Sequence, residues 1–126
     1  MTNTTDIINE TKRNLDLELL LDPKNIPTVH SLRNNGYKVR IIHWRYPVNE
    51  ERKICGDLVH QSQIPPSYRS TRGGVTEVEI TTPDGQNYFA QAHCHINDCF
   101  NRKLGVKIAL GRICKRLQEL NNRAPV

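Results

Sequence analysis

The tripeptide Pro83-Asp84-Gly85 sits between two segments whose polarity alternates residue by residue, and this constrains the fold more than any other feature. From Val75 to Thr82, Val78 and Ile80 fall on one face of an extended chain and Glu77 and Glu79 on the other; Tyr88 to His95 carries the chain back. Asp-Gly supplies the positive backbone angles that a tight hairpin turn demands, so the spacing predicts a β-hairpin. A hairpin with one apolar face is marginal on its own and needs a third strand and a cover.

Both are present in the chain. Tyr37 to Tyr46 is rich in β-branched and aromatic residues and ends at Pro47, which predicts a further strand. After the hairpin, Asn97 or Asp98 is placed to cap a helix running to about Leu120. At the helical repeat, Val106, Leu110, Ile113, Leu117 and Leu120 form one apolar stripe, and Phe100, Leu104 and Ile108 a second ridge. Two apolar faces call for two neighbours, the helix's own sheet and another subunit. Short helices are expected at Leu15–Leu21, closed by Asp22-Pro23, and at Ile26–Arg33, with Pro27 in its first turn and Asn34-Asn35-Gly36 as its stop. Residues 1–13 read as frayed and 47–74 as a long loop. The expectation is a single α+β domain over 1–126, a small antiparallel sheet with a long C-terminal helix packed on it and short N-terminal helices.

Composition narrows the function classes. The chain has 126 residues, and 18 Lys and Arg against 13 Asp and Glu give +5, which suits an anionic partner. The longest apolar run, Leu19-Leu20-Leu21, is far short of the ~20 residues of a membrane span. The first residues lack the pattern of a secretion signal, so Cys55, Cys94, Cys99 and Cys114 read as reduced thiols.

Gly105, Ala109, Arg112 and Arg116 share one arc of the C-terminal helix. Two guanidinium forks at i, i+4 beside a small-residue groove match phosphate oxygens, although the same pattern describes a solvated basic face beside ordinary helix packing. His93, His95, Asp98 and Cys99 could converge on a divalent metal, but no pair repeats at zinc spacing, and no metal or cofactor is expected. Cys94 and Cys114 read as small buried hydrophobes. No nucleophile elbow or phosphate-binding Gly-rich loop is visible. Phe89 and Tyr88 lie on opposite strand faces, so one could stack on a base while the other packs inward. Arg72-Gly73-Gly74 is a basic turn able to offer an Arg and backbone N–H groups to an anion.

These residues carry a resemblance. Ala92-His93-Cys94, then Asp98-Cys99-Phe100-Asn101-Arg102-Lys103-Leu104-Gly105, then Ile108-Ala109-Leu110-Gly111-Arg112 resemble a pattern of small phage and cyanobacterial proteins. In that pattern A-x-C precedes D-x-[FY]-x-[RK]-K-x-G and I-A-x-G-R. Upstream, Leu32-Arg33 with Gly36-Tyr37-Lys38-Val39-Arg40, and Gly73-Gly74 with Thr76, Val78 and Ile80, fit the same group. Over about residues 30–117 the chain is similar to the first described family of phage anti-Thoeris proteins.

The resemblance implies an antiparallel sheet with C-terminal helices, assembly into dimers or hexamers, and sequestration of glycocyclic ADP-ribose without turnover in the cytoplasm of an infected bacterium. Some members are reported to hold cyclic trinucleotides at separate sites. It implies that Arg112 and Arg116 contact phosphate beside Ala109, that Phe89 or Tyr88 stacks on adenine, and that Arg69, Arg72 and Gly74 form a second anion site. Where the pattern has Asn after A-x-C, this chain has His95, still a hydrogen-bond donor. Two other readings stand beside a non-catalytic sponge: a basic nucleic-acid-binding phage protein, and a phosphodiesterase using His93, His95 and Asp98.

Overall fold

The computed structural model describes Leu20 and residues 25–123, the side chains of 121–123 excepted. The frayed stretch 1–13 and the helix expected at 15–21 lie outside the described residues, apart from Leu20, which is helical and fully buried. The described elements are α1 (Val29–Asn34), β1 (Lys38–Arg45), β2 (Val59–His60), β3 (Arg72–Thr81), β4 (Asn87–Cys99) and α2 (Arg102–Arg123). The four strands form one antiparallel sheet in the order β2-β1-β3-β4, with α2 packed on it: an α+β fold, as expected.

The hairpin joins β3 to β4 where the sequence places it. Gly85 takes φ +92, its N–H donates to Thr82 O at 2.9 Å, and the Gln86 N–H donates to Thr82 Oγ1 at 2.9 Å. Alternation holds through the paired region. Val39, Val78, Ile80, Ala90 and Ala92 point to the helix side and, with Leu32, Leu110, Ile113 and Leu117, form the core.

Four boundaries differ from the sequence reading. Helix α1 begins at Val29, because the Thr28 hydroxyl accepts from Ser31 N at 3.0 Å; Pro27 therefore precedes the cap instead of standing in the first turn. The 47–74 stretch holds β2, 3-10 turns at Gln61–Gln63 and Pro66–Tyr68, and bridges pairing Pro47 with Arg69 and Val48 with Ile54. The Arg69 Nε–H, donating to Gln61 O and Ile64 O at 3.0 Å each, ties its turns together. Strand β4 does not yield to a helix at Asn97 or Asp98 but stays paired to Cys99, opposite Arg72. Asn101, not Asp98, then caps α2, its Oδ1 accepting from Leu104 N at 3.0 Å. Finally, Leu120 leaves the buried stripe at 56 % exposure, and the Leu104 and Ile108 ridge is exposed as well.

Pairing persists to Cys99 because the β3 partner is Gly73-Gly74. Between Gly74↔Cys94 and Arg72↔Cys99, residues 95–98 bulge against a single glycine, Gly73, at φ +72. Gly74, at φ +139, leaves room for Phe100: a Cβ there would stand 2.7 Å from its ring and 2.8 Å from Trp44 O. Phe100 is further fixed by its N–H donating to Thr71 O at 2.8 Å.

Helix α2 approaches β3 through Gly105. A Cβ at that position would lie 2.5 Å from Thr76 Oγ1 and 2.9 Å from Thr76 Cβ. Thr76 cannot retreat easily, being 1 % exposed and hydrogen-bonded through Oγ1 to His43 Nδ1 at 3.0 Å. In an open helix Gly→Ala gains about 0.8–1.0 kcal/mol. Here the sign reverses, since overpacking costs about 1–3 kcal/mol. Gly105→Ala is expected to lower the urea midpoint of unfolding. A Thr76→Ala change made in the Gly105→Ala background is expected to cost less than it does alone, a coupling that a double-mutant cycle reads directly.

Candidate functional site

Helix α2 lies beside the free edge of β4, and four residues spaced by one turn meet that edge: Leu104, Ile108, Arg112 and Arg116. The two guanidiniums reach the strand's outward carbonyls. Arg112 Nη1 donates to Gln91 O at 2.5 Å and Arg116 Nη1 to Phe89 O at 3.0 Å. Among the described residues neither fork has a further hydrogen-bond partner. The pair lines a cavity of about 360 Å³ together with Phe89, Ala90, Gln91 and His93.

The cavity's other polar groups are held in order. Gln91 Nε2 donates to Glu77 Oε1 at 2.9 Å, leaving Gln91 Oε1 to accept from His93 Nε2 at 3.2 Å. The Phe89 ring stands 40 % exposed. The arrangement offers two fixed cations, an apolar ring, an imidazole and an amide around one opening. Such a set fits a phosphorylated ligand with a flat moiety.

A second cavity of about 270 Å³ adjoins along the same seam and shares His93. Leu104 and Ile108 line it with His95, Cys94, Asp98, Cys99 and Phe100. The seam therefore changes character along α2, apolar at its first turns and cationic two turns later.

The expected site residues divide accordingly. Arg112, Arg116 and Phe89 come together. Tyr88 faces the core side, its hydroxyl donating to Gln86 Oε1 at 2.7 Å and its pKa raised by burial first and Asp84 second; it is not in the arginine cavity. Ala109 is fully buried, and with Gly105 it forms the contact with the sheet, so the small-residue groove is filled by the protein's own strands. His95 lines the adjoining cavity, with Nδ1 accepting from Asn97 N at 3.1 Å. Gln91 and His93 were missed as neighbours of the arginines, although alternation from Phe89 puts them on its face. Leu104 and Ile108 continue the i, i+4 series of Arg112 and Arg116 toward the helix start, a signal the small-residue stripe obscured.

Arg69 and Arg72 line a separate cavity of about 240 Å³ with Arg52, Ser70 and Thr71. Gly74 does not belong to it, being buried beneath Phe100. The four cysteines are free; Cys114 is buried, as expected, which pushes its thiol pKa up, while Cys94 is only half-buried. Among the described residues no cluster of three or more His, Cys, Asp or Glu could hold a metal, and no helix is long and apolar enough to cross a membrane.

Behind the seam, Phe100 collects two basic side chains. The Arg45 guanidinium stacks 4.2 Å from its ring centroid, and His43 meets it edge-on at 5.6 Å. Burial lowers the His43 pKa, and the charges of Arg102 and Arg45 lower it further. The unfolded chain, with an ordinary imidazole value of about 6.5, then binds the proton more readily than the folded chain. Stability contributed here is complete above that value and declines as pH falls through it toward the lowered folded value. His43→Gln is expected to shrink the loss of denaturant midpoint between pH 7.5 and 5.5. A pH slope unchanged by this substitution would place the titration elsewhere.

No protein-family model, curated protein or solved structure matches the chain.

Proposed function

We propose that the protein binds and sequesters a cyclic nucleotide signal of the glycocyclic ADP-ribose type, without chemical turnover. The observation that carries this reading is the convergence of Arg112 and Arg116 with Phe89 on one cavity at the edge of β4. The anti-Thoeris pattern in residues 92–112 supports it independently.

Each arginine is held by one N–H to a strand carbonyl, so its position is set before a ligand arrives, and the other N–H groups take phosphate oxygens. Charge-assisted hydrogen bonds of this kind contribute about 1.5–3 kcal/mol each. Stacking of a base on Phe89 adds about 1–3 kcal/mol. The adjoining Leu104–Ile108 cavity receives the less polar part of the ligand. The cavity volume of about 360 Å³ lies in the range of small-molecule sites, and a second copy of the chain, seated on exposed Phe89, Leu104 and Ile108, closes its open side. In this reading the protein acts in the cytoplasm of an infected bacterium, lowering the free concentration of the signal that activates defence. Cyclic oligonucleotides are candidates for the cavity lined by Arg52, Arg69 and Arg72.

Arg112→Ala and Arg116→Ala are each expected to weaken glycocyclic ADP-ribose binding roughly 10- to 100-fold and to erase most of the ligand-induced rise in Tm. Both side chains are exposed, so the unliganded Tm should barely change. Heating the loaded wild-type protein should return the nucleotide intact. Recovered fragments would sink the sponge reading, and a steep fall in affinity with rising salt, seen with duplex DNA in place of the nucleotide, would favour a nucleic-acid binder.

A further inference from the structure

A groove remote from the arginine seam lies between the chain leading into α1 and the outer side of α2, with a volume of about 670 Å³. Its apolar lining is wholly aliphatic: Ile26, Pro27, Val29, Ile41, Val106 and Leu110. Its polar lining is almost all cationic. Arg102, Lys103 and Lys107 stand along one wall, each exposed, and none of the three forms an ion pair with a described residue. The remaining polar group, the Thr28 hydroxyl, is occupied as the cap of α1.

We infer that this groove binds a free, single-chain aliphatic carboxylate of medium length. A nucleobase seeks an aromatic face, and the groove has none. An extended peptide needs main-chain partners, which a helix side and a capped turn do not provide. An alkyl chain asks only for contact with apolar walls, which these six residues supply. Its single anionic end matches three cations along one wall, of which Arg102 and Lys103 stand in the first turn of α2, where the helix dipole disfavours positive charge and an incoming carboxylate relieves it. The nucleotide site shares no lining residue with this groove and uses another face of α2.

The test is calorimetric titration of the full-length protein with dodecanoate, dodecyltrimethylammonium and dodecyl maltoside, each kept below its micelle concentration. Saturable 1:1 binding of dodecanoate, at least tenfold tighter than either other amphiphile, is expected. Lys103→Gln combined with Lys107→Gln should weaken it at least tenfold. Ile26→Asp, at a position 43 % exposed and therefore safe for folding, should do the same while the melting curve stays cooperative. In these variants glycocyclic ADP-ribose binding, if present in the wild type, should be unchanged, which separates failure here from failure of the nucleotide proposal. Equal binding of the three amphiphiles, indifference to the charge substitutions, absence of saturable binding, or association with anionic vesicles but not with monomeric dodecanoate would each overturn the inference.

Discussion

The contact of Thr76 with the backbone of Gly105 sets the geometry on which the seam between α2 and β4 depends. With no side chain at 105, α2 settles directly onto β3, and Ala109, one turn on, is fully buried in the same interface. A bulkier pair would hold the helix farther from the sheet. The arginines two turns further along would then lose their hold on the Phe89 and Gln91 carbonyls, which requires N···O separations of 2.5–3.0 Å. Close packing at one end of the helix thus fixes the reach of charged groups at the other.

The same two hydrogen bonds serve the sheet. β4 is an edge strand of 13 residues, and an edge of that length is a template for unwanted pairing unless something covers it. Leu104, Ile108, Arg112 and Arg116 lie over it, and residues 95–98 bulge out of register at its far end. The guanidiniums that engage the strand edge have thereby lost part of their freedom, which in the proposed reading prepares them for a ligand. Protection of the edge and, in the proposed reading, preparation of an anion site follow from one arrangement.

The hairpin, the β1 strand and most of the buried helical stripe were legible because they rest on local rules: a positive-φ turn, period two and period 3.6. The junction between β4 and α2 was not. Asp98 has the chemistry of a cap, but Gly73 and Gly74, more than twenty residues earlier, keep the 95–99 segment in the sheet and pass the capping role to Asn101. Likewise the Gly105-Ala109 stripe correctly signalled a close approach, and the sequence had no means of saying whether a ligand or Thr76 would make it. Arg112 and Arg116 were legible as a pair; their partners Gln91 and His93 required knowing which strand edge the helix would lie against.

Charge gives the structure its remaining logic. Arg45 is 8 % exposed; it stacks on Phe100 and donates to Ser70 O at 2.5 Å, while among the described residues no carboxylate pairs with it and its Nε finds no partner. Burial lowers its pKa, and Arg102 and Arg69 lower it further, the nearby Cys94 acting in the opposite sense. The first turn of α2 has no acidic residue and begins with Arg102 and Lys103, against the preference of the helix dipole. In the proposed reading, an anion bound near these cations relieves repulsion that no carboxylate among the described residues offsets. On that reading the relief, more than the net charge of +5, favours small anionic ligands.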